Sequence, residues 1–152
     1  CLLAVLALAS AYIGFDYNSE YDLIEDLKDN DGKIYLLFFY ASQNLHPLGY
    51  ETVGHSYKSA IELKQRNDAE HDAIKGYADQ SSDLYYNEFD VTHIQHDSVL
   101  HELGVEKAEV FSWPVTVVMQ NGVGYQVTGP NSIYFVKRIV SNLREPGSAP
   151  AV

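Results

Sequence analysis

Residues Lys33 to Ala41 read KIYLLFFYA, an apolar run that only Lys33 interrupts, at its first position. A strand exposed on one face alternates apolar with polar residues. A strand buried on both faces does not, so this run predicts a central strand covered from two sides. That excludes an open sheet with one wet face and predicts helices above and below. The flanking segments supply them. Asn18-Ser19 precedes EYDLIEDLKDN, where Ser19 and Asp22 have the spacing of a capping box and Leu23, Ile24 and Leu27 share one face. The turn cluster Asp29-Asn30-Asp31-Gly32 then ends that helix. After Pro47, the steps Val53, Tyr57, Ala60, Ile61 and Lys64 predict a second helix, with Gly54 a mild weak point. Asn67 to Ser82 is polar and holds Gly76 and Ser81-Ser82, which reads as a helix end followed by a long loop.

Leu84 to Val91 (LYYNEFDV) reads as a second strand. Asp97 to Leu103 reads as a short helix ended by Gly104, and Val115 to Gln120 (VTVVMQ) as a third strand. Asn121-Gly122 is a hairpin signal, with VGYQVT as the return strand. Gly129-Pro130 breaks the chain. Asn131 or Ser132 is expected to cap a last helix with Ile133, Val136, Ile139, Val140 and Leu143 on one face and Lys137, Arg138 and Arg144 toward its negative end. Parallel strands joined by crossover helices, then a hairpin and a helix, make a three-layer α/β/α sandwich with a central mixed sheet. A length of 152 residues suits one such domain. The expected organisation is an apolar signal or anchor segment over 1–15, one domain over 16–145, and a tail rich in Pro, Gly and Ala over 146–152.

Charge narrows the function classes. The formal net charge is -11, and such a surface repels a phosphate backbone, so a nucleic-acid role is not expected. The acids are scattered, as in Glu25-Asp26, Asp68 to Asp72 and Asp79 to Asp83, and read as solvated faces. Cys1 is the one cysteine, so an internal disulfide and a thiolate zinc site are both excluded for this chain. It stands in the run CLLAVLALASAYIGF, which has no charge before Asp16. Two readings of that run stay open. Leu2 to Leu8 is the apolar core of a secretory signal peptide with Ala9-Ser10-Ala11 as its cleavage site, or the run is the end of a membrane-spanning helix that begins upstream. Either places the domain outside the cytosol, in the secretory pathway or on a mitochondrial membrane.

The order and spacing of several motifs resemble the thioredoxin fold, in particular the domains of protein disulfide isomerases. Phe38-Phe39-Tyr40-Ala41 followed by SQNLHP resembles that family's F-Y-A-P-W-C-G-H-C. Val110 to Val118, VFSWPVTVV, resembles its cis-proline segment, and QNG and VTGP resemble the family's continuation of that segment. Phe89-Asp90-Val91 resembles the end of its V-D-V strand. The likeness runs from about Ser19 to Arg144. It implies a thioredoxin-like sandwich, a cis bond between Trp113 and Pro114, and a site built from the loop Gln43, Asn44, Leu45, His46 and Pro47 facing Ser112, Trp113 and Pro114.

The departures fall on the chemistry. Aligned on Phe39-Tyr40-Ala41, the two cysteines of the family fall on Asn44 and Pro47, its tryptophan on Gln43, and its buried acid on Phe38. Thiol–disulfide exchange needs a thiolate, so that reaction is not expected here, and no catalytic residue, metal or other cofactor is called for. Asn44 is a good N-cap and Pro47 suits a first helical turn, which explains both as helix-start residues. The same loop and Trp113-Pro114 imply a surface for an extended peptide.

Other constellations are weaker. His93, His96 and His101 fall close together with Asp90 and Asp97 nearby, yet match no zinc spacing and read as surface histidines. Ser42 with His46 lacks an orienting acid. Gly122-x-Gly124 is a hairpin turn, too short to hold a nucleotide. The expected function is a redox-inactive accessory or protein-interaction subunit of a larger, membrane-associated complex. The alternative is a lumenal chaperone that binds unfolded peptides.

Overall fold

The central apolar run forms the strand it predicts. In the computed structural model, which describes residues 12–42 and 60–145, β2 is Ile34–Tyr40, and Ile34 through Phe39 are all buried. The other elements are β1 (Ile13–Gly14), α1 (Glu20–Lys28), α2 (Ala60–Asp79), β3 (Leu84–Asp90), α3 (Asp97–Leu103), α4 (Lys107–Ser112), β4 (Val115–Gln120), β5 (Val123–Thr128) and α5 (Ser132–Arg144). The sheet order is β1-β3-β2-β4-β5. β1 and β2 run parallel to β3, β4 is antiparallel to β2, and β5 is antiparallel to β4. The molecule is therefore an α/β protein with a mixed five-stranded sheet.

Strand alternation sends β2 into two cores. Tyr35, Leu37 and Phe39 pack with Leu23 and Leu27 of α1, Val99 and Leu100 of α3 and Val110 of α4. Ile34, Leu36 and Phe38 pack with Ile74 and Ala78 of α2 and with Val136 and Val140 of α5. Each such Leu, Ile or Phe contributes about 1.5–3 kcal/mol on burial, which accounts for the absence of polar residues from this strand.

Local signals set several boundaries. Ser19 Oγ accepts the Asp22 N–H at 3.2 Å and starts α1. Gly104 ends α3 at φ +67, with its N–H directed at the His101 and Leu100 carbonyls. Asn121 and Gly122 turn the β4–β5 hairpin with φ of 54 and 78, both left-handed as a two-residue turn requires. Asn121 Oδ1 also accepts the Gly32 N–H at 2.9 Å, tying the hairpin to the turn that leads into β2.

Four expectations need correction. Asn67 to Asp79 is helix, not loop. The stripe facing the sheet is Leu63, Arg66, Asn67, Ile74 and Ala78, so two polar residues fill core-facing positions and hide the helical period. Lys64, expected in the apolar stripe, lies on the exposed side and pairs with Asp68 at 2.5 Å; Val53 and Tyr57 lie outside the described residues. The side-chain cap expected for α5 is absent. Asn131 is left-handed, at φ 63, and makes no side-chain cap bond, while Ser132 Oγ donates instead to the Glu70 carboxylate of α2 at 2.6 Å. Finally, α4 and the two-residue strand β1 were not anticipated; β1 pairs Ile13 with Tyr85 and Gly14 with Tyr86. Among the described residues, no helix is long and apolar enough to cross a membrane.

Candidate functional site

The parallel strands β2 and β3 end side by side, and in α/β sheets the carboxyl ends of parallel strands are where ligands are held. Here the ends are fastened by Asp90. Its Oδ1 accepts the Ser42 N–H at 3.1 Å, the Thr92 N–H at 3.1 Å and the Thr92 hydroxyl at 2.7 Å. Burial pushes the Asp90 carboxyl up, but these donors outweigh it and hold the group below the usual carboxylate range. The Ser42 hydroxyl lies 3.2 Å from that of Thr92. Its supposed partner His46 lies outside the described residues, as do Gln43, Asn44, Leu45 and Pro47.

Two consecutive buried polar residues of α2 reach the flanks of this site. Asn67 Nδ2 donates to the Ala41 carbonyl at 2.8 Å, just beyond β2. Arg66 Nη1 donates to the Ser112 carbonyl, and its guanidinium sits 5.0 Å from the Trp113 ring centroid. Burial pulls the Arg66 pKa down, with Glu62 opposing. The turn of α2 that sequence reasoning read as the start of a loop thus joins the end of β2 to the segment before β4.

That segment departs from expectation. The Trp113–Pro114 bond is trans, and no cis peptide bond occurs among the described residues. The physical reason is α4, which runs to Ser112. The Trp113 N–H caps this helix on the Glu109 carbonyl at 2.9 Å, and Trp113 is extended, at φ -159 and ψ 140, as a residue before a trans proline prefers. The Pro114 carbonyl accepts from Thr128 Oγ1 at 2.9 Å. The Ser112 carbonyl, the Trp113 N–H and the Pro114 carbonyl therefore all have partners inside the chain.

Beside the strand ends, α2 and the sheet enclose a cleft of about 520 Å³. Phe38 and Tyr40 form its floor, with rings stacked at 5.9 Å and 23°. Lys64, Asn67, Asp68 and His71 form the α2 wall, and Ser42 and Glu88 the opposite rim. His71 Nε2 lies 2.7 Å from Glu88 Oε2, and the Tyr86 hydroxyl donates to the same oxygen at 2.9 Å. Burial, with Glu88 adding to it, pushes the Tyr86 phenol far up, so this hydroxyl stays a donor. Sequence reasoning missed Arg66, Asn67, His71 and Glu88. The spacing Leu63, Asn67, Ile74, Ala78 was the signal that α2 continues; nothing in the sequence pairs His71 with Glu88.

The three clustered histidines differ in burial, although the His93 and His96 rings stay in edge-on contact at 6.4 Å. His93 and His101 are exposed, but His96 is buried, which corrects the surface reading. Its ring meets Phe89 edge-on at 5.2 Å, and its Nδ1 lies 3.1 Å from Glu20 Oε1 at the start of α1. Packing between α1 and the turn before α3 draws it in. Among the described residues, no group of three or more His, Cys, Asp or Glu is placed to hold a metal ion.

A second surface lies at the far edge of the sheet. Among the described residues β5 pairs only with β4, and Val123 and Tyr125 are exposed at 55% and 42%. Beside it, α5 exposes Tyr134 and Phe135 at 71% and 57%. From Val110 to Arg144 the chain has no Asp or Glu, against a net charge of -11 for the whole. Set against protein-family models and curated proteins, the chain matches none of either.

Proposed function

We propose that the chain is a redox-inactive, thioredoxin-like interaction module, an accessory subunit of a larger membrane-associated assembly in the secretory pathway or mitochondrion. The strand order β1-β3-β2-β4-β5, with a closing hairpin and helix, supports the thioredoxin-like part. The trans bond at Pro114 departs from it, so the weight rests on topology rather than on the proline motif. Phe38 at the buried-acid position, and Asn44 and Pro47 at the cysteine positions, support the loss of exchange chemistry.

The observation that carries the interaction role is β5. Natural edge strands are blunted by Lys, Pro, bulges or inward charges, and VGYQVT has no charged residue and no proline. Its occupant is an extended segment of a partner protein added as a further strand, with Tyr134 and Phe135 gripping its apolar side chains. A stretch of chain without acids, from Val110 to Arg144, that bears exposed Arg138 favours a segment that carries acids. A second copy is disfavoured, since each chain carries -11. The chaperone alternative loses support, because the backbone groups around Trp113 are already bonded internally.

The test is the native size of the protein released from membranes in mild detergent, beside a V123K/Y125K variant with an unchanged thermal melt. The wild type is expected in a large assembly and the variant as a lone chain. A lone wild-type chain, or a variant that stays assembled, overturns the β5 reading. Insulin reduction above background overturns the redox-inactive one.

A further inference from the structure

The left-handed turn at Asn121-Gly122 fixes which backbone groups of β5 face outward. A two-residue turn of this kind makes its flanking residues, Gln120 and Val123, a hydrogen-bonded pair. Such pairs alternate along an antiparallel ladder, so Tyr125 and Val127 also bond to β4. Gly124, Gln126 and Thr128 then direct both N–H and C=O away from β4, and these groups have no other backbone partner among the described residues. Their side chains do not cover them. Gly124 has none. Gln126 Nε2 donates to the Leu103 and Gly104 carbonyls at 3.1 and 3.0 Å, and Thr128 Oγ1 donates to the Pro114 carbonyl. The opposite edge of the sheet is closed. There β1 covers Tyr85 and Tyr86 of β3, and the outward Glu88 N–H is taken by Asn87 Oδ1 at 2.8 Å.

The two faces of the open edge differ. Val123, Tyr125 and Val127 alternate onto the face that α5 covers, where Val127 shares a core with Val136 and Val140. Gly129 to Asn131 turn the chain back, so α5 runs antiparallel to β5. Lys137 Nζ lies 5.6 Å from the Tyr77 ring centroid, which marks the flank of α5 that faces α2. Phe135 stands about 200° round the helix from Lys137, on the flank beside the open edge, and Arg138 follows on that side about 4.5 Å further along. Both are exposed, and the chain from Val110 to Arg144 has no Asp or Glu. The other face is bordered by the Gly104 turn that Gln126 holds, and exposed Glu106 two residues on disfavours an acid there.

We propose that β5 selects an antiparallel partner segment of pattern apolar-x-acid, the apolar side chain packing on Phe135 and the acid pairing with Arg138. Same-face residues of a strand are about 6.8 Å apart, a span that the length of the Arg138 side chain makes up. Antiparallel pairing is the more stable per residue. An antiparallel segment runs in the direction of α5, so its apolar residue precedes its acid. The pattern rests on the interaction reading of β5 and adds to it the direction of the segment and the order of its residues.

The test follows the backbone amide signals of Gly124, Gln126 and Thr128 by NMR while the whole chain is titrated with acetylated and amidated heptapeptides. The first is made of threonine with isoleucine third and aspartate fifth. The second exchanges those two residues, and two more carry asparagine or lysine in place of the aspartate. Saturable shifts at the three amides are expected with the first peptide, and binding weaker by about two- to fivefold with the exchanged and asparagine peptides. In Arg138→Glu, with an unchanged thermal melt, the lysine peptide is expected to bind more tightly than the aspartate one. Equal binding of the exchanged peptide, or an unaltered preference in Arg138→Glu, overturns the pattern and leaves the edge reading in place. Absence of saturable shifts with every peptide also overturns the pattern, while the native size of the V123K/Y125K variant decides the edge reading separately.

Discussion

Phe38 occupies the position where the thioredoxin resemblance places a buried acid, so replacing it tests whether this chain has rebuilt that position as core. The side chain is 1% exposed and packs in one cluster with Leu36, Ile74, Val118 and Val136. Its ring stacks on Tyr40 at 5.9 Å and meets His71 edge-on at 5.8 Å. Truncating a buried Phe to Ala costs about 3–5 kcal/mol. Because Phe38 also floors the cleft, water can enter the vacated space, which places Phe38→Ala near the lower end, about 3 kcal/mol. For a domain of this size that lowers Tm by about 6–12 °C. Phe38→Asp loses the same ring and adds a carboxylate, and the nearby His71 is already engaged by Glu88. Burial raises the folded pKa of the new acid above its unfolded value of about 3.9. The protonated form is then the one the fold tolerates. The variant should match Phe38→Ala below that unfolded value and fall behind it as pH rises toward the raised folded value. Urea unfolding followed by circular dichroism at acidic and neutral pH measures both effects. If Phe38→Asp is as stable as the wild type, or more stable than Phe38→Ala at neutral pH, the position is built for an acid and the structural reading of Phe38 is wrong.

Asp90→Asn tests the tie between the strand ends. The folded carboxyl is depressed, so its contribution is present above the ordinary value of about 3.9 and is lost as pH falls through the folded value. At pH 7 the variant is expected to be less stable by about 1–3 kcal/mol, with the gap closing as the wild type is acidified; a gap that does not change with pH refutes the assignment. Gly104→Ala tests the left-handed end of α3. An added Cβ meets nothing closer than Gln126 Nε2 at 3.8 Å, so the cost is conformational alone, about 1–2 kcal/mol of unfolding free energy by urea titration, and an unchanged midpoint would show that φ +67 is not maintained in solution.

What could be read in the sequence was whatever one physical demand governs. The two-sided burial of KIYLLFFYA, the Ser19 cap, the Gly104 stop and the Asn121-Gly122 turn each obey a single local rule, and each stands where that rule puts it. The misreadings fall where a second demand competes. Arg66 and Asn67 hold core-facing positions of α2, so a helix in plain 3.6-residue register looked like polar loop, because these two side chains serve backbone groups of distant segments rather than the apolar core. The same competition governs Trp113-Pro114. The proline pattern pointed to a cis turn, but Lys107 to Ser112 form a helix that delivers Trp113 to Pro114 in an extended, trans geometry. Ser132, expected to cap its own helix, serves Glu70 of another. The errors at Asn67 and Ser132 come from polar groups whose partners lie far away in sequence, and a separation of 46 positions between Arg66 and Ser112 is invisible to any local pattern. Long-range polar pairs of this kind also frame the cleft. They fasten α2 to the ends of the strands, so the contacts that place this helix are the ones hardest to read in the sequence.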